Sequence, residues 1–262
     1  LHTPMYFFLA NLAFLEIAYS CTIAPLTLAN LASVRRISIS LSGCGTQLFL
    51  FTLLGGSDCI LLAIMAYDRY VAICRPLSYP LIMTWRMCMS LMVGTCAMCV
   101  FLSFQLCLLI LTLTFCGNNM AIRNFFCDFP ALMKVACGDT HAQQLSLFIT
   151  SAILLTVPFT LICTSYAFIT MTILCIPSAL GRQRAFSTCS SHITVVLIQY
   201  SCTSLIYLCP ASYLSATQVR VVSVFYTFVT PVLNPLIYSM RSKELKEAMN
   251  RSLRRIMLPQ KK

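Results

Sequence analysis

Six apolar runs, each long enough to cross a bilayer, constrain this chain more than any other feature. A helix needs about 20 apolar residues to span the hydrocarbon core of a membrane. Short charged or turn-rich patches separate the runs, which lie at 4–32, 41–73, 87–115, 144–176, 184–209 and 218–240. Only 10% of the 262 residues are charged, against about 25% in a typical soluble domain. The sequence therefore predicts an all-α membrane protein with one domain over residues 1–262.

The net charge of +11 is distributed unevenly between the two sides of the predicted membrane. With the first run leaving the cytoplasm, the inner side carries Arg69, Arg75, Arg86, Arg182, Arg184 and eight Lys or Arg residues after Met240. The outer side carries Arg35, Arg36, Arg123, Lys134 and Arg220. This bias is typical of cytoplasmic loops. It predicts a cytoplasmic C-terminus and explains the basic charge without a nucleic-acid partner.

The basic stretch at 241–256 has the pattern of an amphipathic helix. Leu245, Met249, Leu253 and Ile256 recur at steps of three or four residues, with charged residues between them. This pattern predicts a cytoplasmic helix that lies on the membrane surface and contacts anionic lipid. A short solvated helix is the alternative.

Two carboxylates, Glu16 and Asp58, lie deep within apolar runs, and Asn234 adds a polar group beside a helix break. A carboxylate at a helix centre costs about 2.5–3.5 kcal/mol on insertion scales, so these groups should face the interior of the bundle. They could form a cation or proton site that responds to helix motion. Alternatively, they could be protonated carboxyl groups that hold helices together by hydrogen bonds.

No catalytic or metal-binding pattern is present in the sequence. The three histidines, His2, His141 and His192, lie in different segments with no metal-ligand spacing. Neither a phosphate-binding glycine loop nor a GxSxG nucleophile motif occurs. We therefore predict that the chain is not an enzyme and holds no catalytic metal.

Four of the sixteen cysteines lie on the predicted outer side, where the environment is oxidising: Cys44, Cys116, Cys127 and Cys137. Disulfides are permitted there. Four cysteines allow three connectivities, and their spacing does not choose among them.

Five stretches together resemble the rhodopsin-like G-protein-coupled receptors and, within them, the olfactory receptor family. They are LHTPMYFFLANLAFLE (1–16), MAYDRYVAICRPLSY (65–79), SY (165–166), RAFSTCSSH (184–192) and PVLNPLIYSMRSKELKEA (231–248). The resemblance implies a seven-helix bundle. Six of its helices are present here, and the first one, with its N-terminal tail, is expected upstream.

The resemblance implies that the chain binds an odorant in the outer half of the bundle. It also implies coupling to a heterotrimeric G protein of the stimulatory olfactory type, which raises cyclic AMP. The expected location is the plasma membrane. By family analogy, this is the membrane of the cilia on olfactory sensory neurons. Residues 49–56 read FLFTLLGG, without the acidic residue of amine receptors, and the last run lacks the lysine that binds retinal. The ligand is therefore expected to be uncharged and held without a covalent bond.

The resemblance also assigns roles to individual residues. It pairs Cys44 with Cys127 and Cys116 with Cys137, and it makes Glu16, Asp58 and Asn234 a buried polar cluster that could hold a sodium ion. Other cofactors are not expected. The residues implied in activation and G-protein coupling are Asp68, Arg69, Tyr70, Tyr166, His192, Asn234, Pro235 and Tyr238. In the resting state Asp68 is expected to restrain Arg69.

Helix phase and the family pattern together suggest which residues contact the ligand. They are Phe51, Thr52, Gly55, Gly56, Thr150, Tyr200, Thr203, Ser204, Tyr207 and Thr227, with Tyr200 deeper than the others. Ordinary packing between helices is the alternative for each of them. The cavity should be mostly apolar with a few hydroxyl groups.

Two other functions stay open at this stage. The chain could be a truncated receptor product without function. It could also be an ion-coupled transporter of small solutes that uses Glu16 and Asp58, although the inverted repeat typical of many transporters is not visible in the sequence.

Overall fold

The computed structural model describes residues 3–32, 40–115, 127, 129–133, 135–209, 215, 218, 221–222, 224–231, 233–234 and 237. Within these residues, five helices are long and apolar enough to cross a membrane. They are α1 (Pro4–Ala32), α2 (Leu41–Cys74), α4 (Trp85–Leu111), α6 (His141–Leu174) and α7 (Ala179–Tyr207). Two short helices connect them, α3 (Tyr79–Ile82) and α5 (Phe129–Met133). A π-helix covers Phe225–Val229.

A small antiparallel pairing interrupts the helical pattern on the side predicted to face outward. Strand β1 (Thr114–Phe115) pairs with β2 (Ala136–Cys137), so that Thr114 lies opposite Cys137. The helix α4 therefore ends at Leu111, before the end of the apolar run at 115. The apolar residues after Leu111 lead into strand β1. The sequence did not predict this change, because a short apolar run does not distinguish helix from strand by periodicity.

Helices α2, α4 and α7 begin where a hydroxyl group caps them. Ser40 accepts a hydrogen bond from the Gly43 amide at the start of α2, and Ser178 accepts one from Gly181 at the start of α7. Such caps satisfy amides that have no partner within the helix. Because of its cap, α7 begins before the predicted limit at 184.

Helix α2 lies at the centre of the bundle and packs against α1, α4, α6 and α7. Leu61, Leu62 and Met65 of α2 are fully buried together with Phe8 of α1 and Val195 of α7. The faces of α4 and α6 that point away from α2 expose large apolar side chains such as Phe101, Phe104, Leu161 and Met171. An apolar outer surface of this kind suits hydrocarbon as the surrounding solvent.

Candidate functional site

A cavity of about 80 Å³ lies among α1, α2, α6, α7 and the π-helix. Seven of the ten residues predicted to contact the ligand line it: Phe51, Thr52, Gly55, Gly56, Thr150, Thr203 and Tyr207. A Cβ atom on Gly55 would lie 3.4 Å from the Tyr19 ring, and one on Gly56 would lie 3.2 Å from Leu154. At these two positions the α2 backbone bounds the cavity, between the side chains of Phe51, Thr52 and Cys59.

Three predicted contact residues are not part of the cavity lining. Tyr200 lies deeper and donates a hydrogen bond from its hydroxyl to the Cys59 carbonyl at 2.9 Å. Ser204 is half-buried on α7. Thr227 is fully buried in the π-helix, where its hydroxyl has no partner among the described residues.

Four lining residues with a hydroxyl or amide group were not among the predicted contacts: Tyr19, Ser151, Gln199 and Tyr226. Gln199 precedes Thr203 by one helical turn, so helix phase could have identified it. Tyr226 could not be found in this way because a π-helix has more residues per turn, which shifts its side chains relative to an α-helical pattern. Its hydroxyl lies 3.3 Å from that of Tyr207 on α7.

A disulfide and one glutamine hold the outer loop next to the cavity. The predicted bond between Cys44 and Cys127 is present. Gln47, one turn further along α2, is buried and donates to the Thr22 carbonyl of α1 at 3.1 Å. Its side-chain carbonyl accepts from the Cys127 amide at 3.0 Å. Nearby Phe129 of α5 lines the cavity. The other predicted pairing involves Cys116, which lies outside the described residues.

The predicted polar cluster brings α1, α2 and the segment after the π-helix together. Asn234 donates a hydrogen bond from Nδ2 to Oε1 of Glu16. Asp58 is buried and close enough to Glu16 for their charges to interact. Within the described part of the chain, Asp58 Oδ1 and Asn234 Oδ1 have no hydrogen-bond partner.

His192 connects three helices, α2, α6 and α7, near the end of the bundle that is predicted to face the cytoplasm. Its Nε2 lies 3.1 Å from the Leu62 carbonyl of α2, and its Nδ1 lies 2.8 Å from the Tyr166 hydroxyl of α6. A carbonyl can only accept, so the neutral ring carries its proton on Nε2 and accepts from Tyr166 on Nδ1. The His192 and Tyr166 rings also stack, with centroids 5.7 Å apart.

Arg69 is buried beside this bridge. Its side chain is 7% exposed, and its Nε has no partner among the residues that the structure describes. Arg69 acts electrostatically on both Tyr166 and His192. Tyr70 is half-buried and its ring contacts Phe168 of α6. The other two predicted activation residues, Pro235 and Tyr238, lie outside the described residues.

Asp68 has a partner that the sequence did not predict. The hydroxyl of Tyr79, on the short helix α3, donates to Oδ1 of Asp68 at 2.9 Å. Burial and the neighbouring Asp68 carboxylate raise the pKa of Tyr79 above its ordinary value. The hydroxyl therefore keeps its proton and remains a donor to Asp68 at neutral pH.

Comparisons with known proteins agree on one family. A family model described as olfactory receptor matches residues 1–256. The Homo sapiens protein Olfactory receptor 10V1 is 57% identical over 255 residues, which cover 97% of this chain and 82% of that protein. Olfactory receptor 10Q1, also from Homo sapiens, is 53% identical over 253 residues, which cover 97% of this chain and 79% of that protein.

Among solved structures, squid rhodopsin is similar to this chain in fold. The superposition has a TM-score of 0.66 and covers 98% of this chain and 77% of that protein. The sequences are only 18% identical, so this likeness concerns the arrangement of the helices.

Proposed function

This chain belongs to the olfactory receptor family, and from that premise we propose that it binds small, uncharged odorants in the cavity between α2, α6 and α7. We further propose that binding activates a heterotrimeric G protein of the stimulatory olfactory type and raises cyclic AMP. Family membership makes the chain a multi-pass membrane receptor with a rhodopsin-like helical bundle, as the motifs predicted. Members of this family are receptors and not enzymes, which confirms that prediction as well.

The composition of the cavity wall is the observation that supports an uncharged ligand. Its described lining residues are apolar, aromatic, hydroxyl-bearing or amide-bearing, and none is Asp, Glu, Lys, Arg or His. A charged ligand would lose its hydration there without gaining a counter-charge, which is costly in a medium of low dielectric. A mostly apolar wall with a few polar groups is typical of sites for small organic molecules.

Helix α7 can carry the effect of a ligand to the inner face. Thr203 and Tyr207 of α7 line the cavity. His192 of the same helix contacts the Leu62 carbonyl. At the rise of an α-helix, His192 lies about 16 Å along α7 from Thr203. A ligand that binds more tightly when α7 lies further outward would shift the receptor population toward that position. In those states the contacts of His192 with the Leu62 carbonyl and of Tyr200 with the Cys59 carbonyl would be broken. Arg69, buried beside His192, would then become accessible to the G protein.

The polar cluster at Glu16, Asp58 and Asn234 is suited to a sodium ion. Sodium prefers oxygen ligands, and Asp58 Oδ1 and Asn234 Oδ1 are buried oxygens without a partner among the described residues. A bound sodium ion would offset one of the two carboxylate charges. Glu16 and Asp58 would hold it, and Asn234 would link their position to the segment that follows the π-helix.

The proposed setting follows from the same premise. The receptor would lie in the plasma membrane of the cilia of olfactory sensory neurons, with its C-terminus in the cytoplasm. The basic stretch at 241–256, which lies outside the described residues, would contact anionic lipid.

A cyclic-AMP reporter in cells that express the receptor tests the proposed function. The receptor is exposed to a broad panel of uncharged odorants, and surface expression is verified by an epitope tag. A dose-dependent rise in cyclic AMP with at least one compound is expected. Verified surface expression with no response to any compound would contradict the proposal.

Filling the cavity should shift this response to higher ligand concentrations. Gly55→Leu places four extra carbon atoms beside Tyr19, and we expect at least a tenfold loss of potency because the ligand and the leucine cannot share the volume. Gly94→Leu is the matched control, since Gly94 is an exposed glycine of α4 whose Cβ would meet no atom within 4 Å. Equal potency in the two variants would show that the ligand binds elsewhere.

Asp68 is expected to limit basal signalling through its charge. Asp68→Asn removes the charge near Arg69 while its side-chain oxygen can still accept from Tyr79. Tyr79→Phe removes the hydrogen bond and leaves the charge. We expect ligand-free cyclic AMP to rise several-fold in Asp68→Asn and to stay near the wild-type level in Tyr79→Phe. A rise in Tyr79→Phe alone would mean that the hydrogen bond, and not the charge, restrains the receptor.

A further inference from the structure

Gln47 of α2 connects three parts of the protein through its side-chain amide. It is buried, with 7% of its surface exposed. Its Nε2 donates to the Thr22 carbonyl of α1 at 3.1 Å. Its Oε1 accepts from the amide of Cys127 at 3.0 Å. Cys127 and the following helix α5 (Phe129–Met133) are here called the loop segment. Gln47 therefore ties the backbones of α1 and of the loop segment to α2.

The two bonds give a reason for an amide at this buried position. A buried polar group that lacks a partner is unfavourable, so a buried amide is best tolerated when both its donor and its acceptor are used. Gln143 of α6 is also buried and donates to the Thr112 hydroxyl at 2.9 Å, but its Oε1 has no partner among the described residues. Gln47 uses both ends, and each end binds a different segment of the chain.

The disulfide to Cys44 and the bond to Gln47 fix different properties of Cys127. The disulfide holds the Cα atoms of Cys44 and Cys127 5.4 Å apart. Several rotatable bonds lie between these atoms, so the disulfide alone leaves the peptide unit at Cys127 able to turn. The hydrogen bond to Gln47 sets the orientation of that peptide unit, because such bonds weaken steeply as they depart from a straight line. Gln47 thus sets the direction of the chain at Cys127.

This direction matters because Phe129 follows Cys127 by two positions. Phe129 is 2% exposed and belongs to one apolar cluster with Leu48 and Leu106. All three of these side chains line the cavity. With one residue between Cys127 and Phe129, a turn of the Cys127 peptide unit would move the ring out of the cavity wall. A molecule in the cavity would then lose a large apolar contact.

We infer that Gln47 is a positioning residue of the proposed odorant site, which holds Phe129 in the cavity wall by orienting the Cys127 amide. The inference rests on the proposed function and adds a residue that is not part of the cavity lining. The bond to Thr22 makes the position of the loop segment depend on how α1 packs against α2. A displacement of α1 would therefore reach Phe129 through Gln47.

Amide hydrogen exchange measures the hold on the loop segment without any ligand. The receptor is purified into lipid nanodiscs, and exchange is followed by mass spectrometry in peptides that cover 127–133. Gln47→Met keeps the length of the side chain and removes both bonds. We expect exchange in these peptides to become about fivefold to tenfold faster, which corresponds to one lost hydrogen bond. If the methionine variant is not expressed, Gln47→Ala removes the same bonds and replaces it.

A conservative variant and a matched control make the exchange measurement specific. Gln47→Glu keeps an oxygen that can accept from the Cys127 amide, so its exchange at 127–133 should stay near the wild-type rate. Gln105→Met makes the same substitution at an exposed glutamine of α4, whose amide donates to the Ser146 hydroxyl at 3.2 Å, and should leave this exchange unchanged. The inference is overturned if Gln47→Met exchanges like the wild type at 127–133. It is also overturned if peptides around the buried Leu61 and Leu62 accelerate to the same degree.

The cyclic-AMP reporter connects this hold to ligand binding. The probe is the most potent compound that the odorant panel identifies with the wild-type receptor. At equal surface expression, Gln47→Met should lower its potency by about fivefold to tenfold and leave the maximal response unchanged. Phe129→Ala should lower the potency at least as much. Adding Gln47→Met to Phe129→Ala should cause little further loss, because Gln47 acts through that ring.

The outcomes separate this inference from the proposed function. Additive losses of potency in the double variant, or wild-type potency in Gln47→Met, would overturn the inference and leave the proposed function intact. If no compound of the panel activates the wild-type receptor, the proposed function fails and the role of Gln47 toward an odorant fails with it. Exchange at 127–133 would still decide whether Gln47 orients the Cys127 amide.

Discussion

Replacing Arg69 by alanine is expected to abolish ligand-stimulated cyclic AMP while ligand binding stays intact. Arg69 follows Cys59, which lines the cavity, by ten residues on α2, about 15 Å at the rise of a helix. It is thus too far away to contact the ligand. At the inner face it lies close to Tyr166 and His192, which link α6 and α7. Its loss would remove the positive group that we expect to meet the G protein.

The measurement for Arg69 combines the cyclic-AMP reporter assay in cells with thermal unfolding of the purified receptor, recorded with and without ligand. Signalling should fall to the level of cells without receptor, and the ligand-induced shift in unfolding temperature should be retained. Arg75→Ala is the control, because Arg75 is an exposed arginine close to the same end of α2. If Arg69→Ala responds like the wild type, or if it loses ligand binding as well, the residue is not a switch of the proposed kind.

Breaking the bond between Cys44 and Cys127 is expected to have the largest effect on stability. The bond joins residues separated by 83 positions, and long closed loops restrict the unfolded chain most. Removing a native disulfide from a small extracellular domain costs about 2–5 kcal/mol, and we expect a loss of similar size here. It should also release the loop that carries Phe129 to the cavity, so that ligand affinity falls together with the unfolding temperature.

Three variants make this expectation specific. Cys44→Ser, Cys127→Ser and the double variant should lower surface expression and unfolding temperature to the same degree, because each removes the same bond. Cys96→Ser, at an exposed free cysteine of α4, should leave both unchanged. Additive losses in the double variant would mean that the two cysteines contribute separately and not through their bond.

The Gln47 contacts illustrate what the sequence could not supply. This glutamine lies inside an apolar run and has no charge, so nothing in its local sequence distinguishes it from other polar residues of the membrane helices. In the structure it joins the Thr22 carbonyl to the Cys127 amide, which are distant in sequence. The partners of such a residue are backbone groups, and which backbone groups come within reach depends on how the helices pack.

The same reasoning applies to the cavity. Helix phase and the family pattern together identified most of its wall on α2 and α7, and phase applies there because those segments are regular α-helices, in which every third or fourth residue shares a face. Tyr226 was not identified, because it lies in the π-helix. Tyr19 was not identified either, because it reaches the cavity only through the packing of α1 against α2. Gln199 was within reach of the phase argument, since it lies one turn from Thr203, and it was not predicted.

By itself the sequence determined the solvent, the helical class and the family. Apolar runs longer than the bilayer is thick must become helices, because only helices satisfy their backbone hydrogen bonds within one segment in lipid. The family follows from motifs that can be read without coordinates. The tertiary structure alone decided which groups meet: His192 with the Leu62 carbonyl, Tyr79 with Asp68, and Gln47 with the Cys127 amide. These contacts depend on angles and distances between helices, which arise when whole surfaces pack and are not encoded in any local pattern.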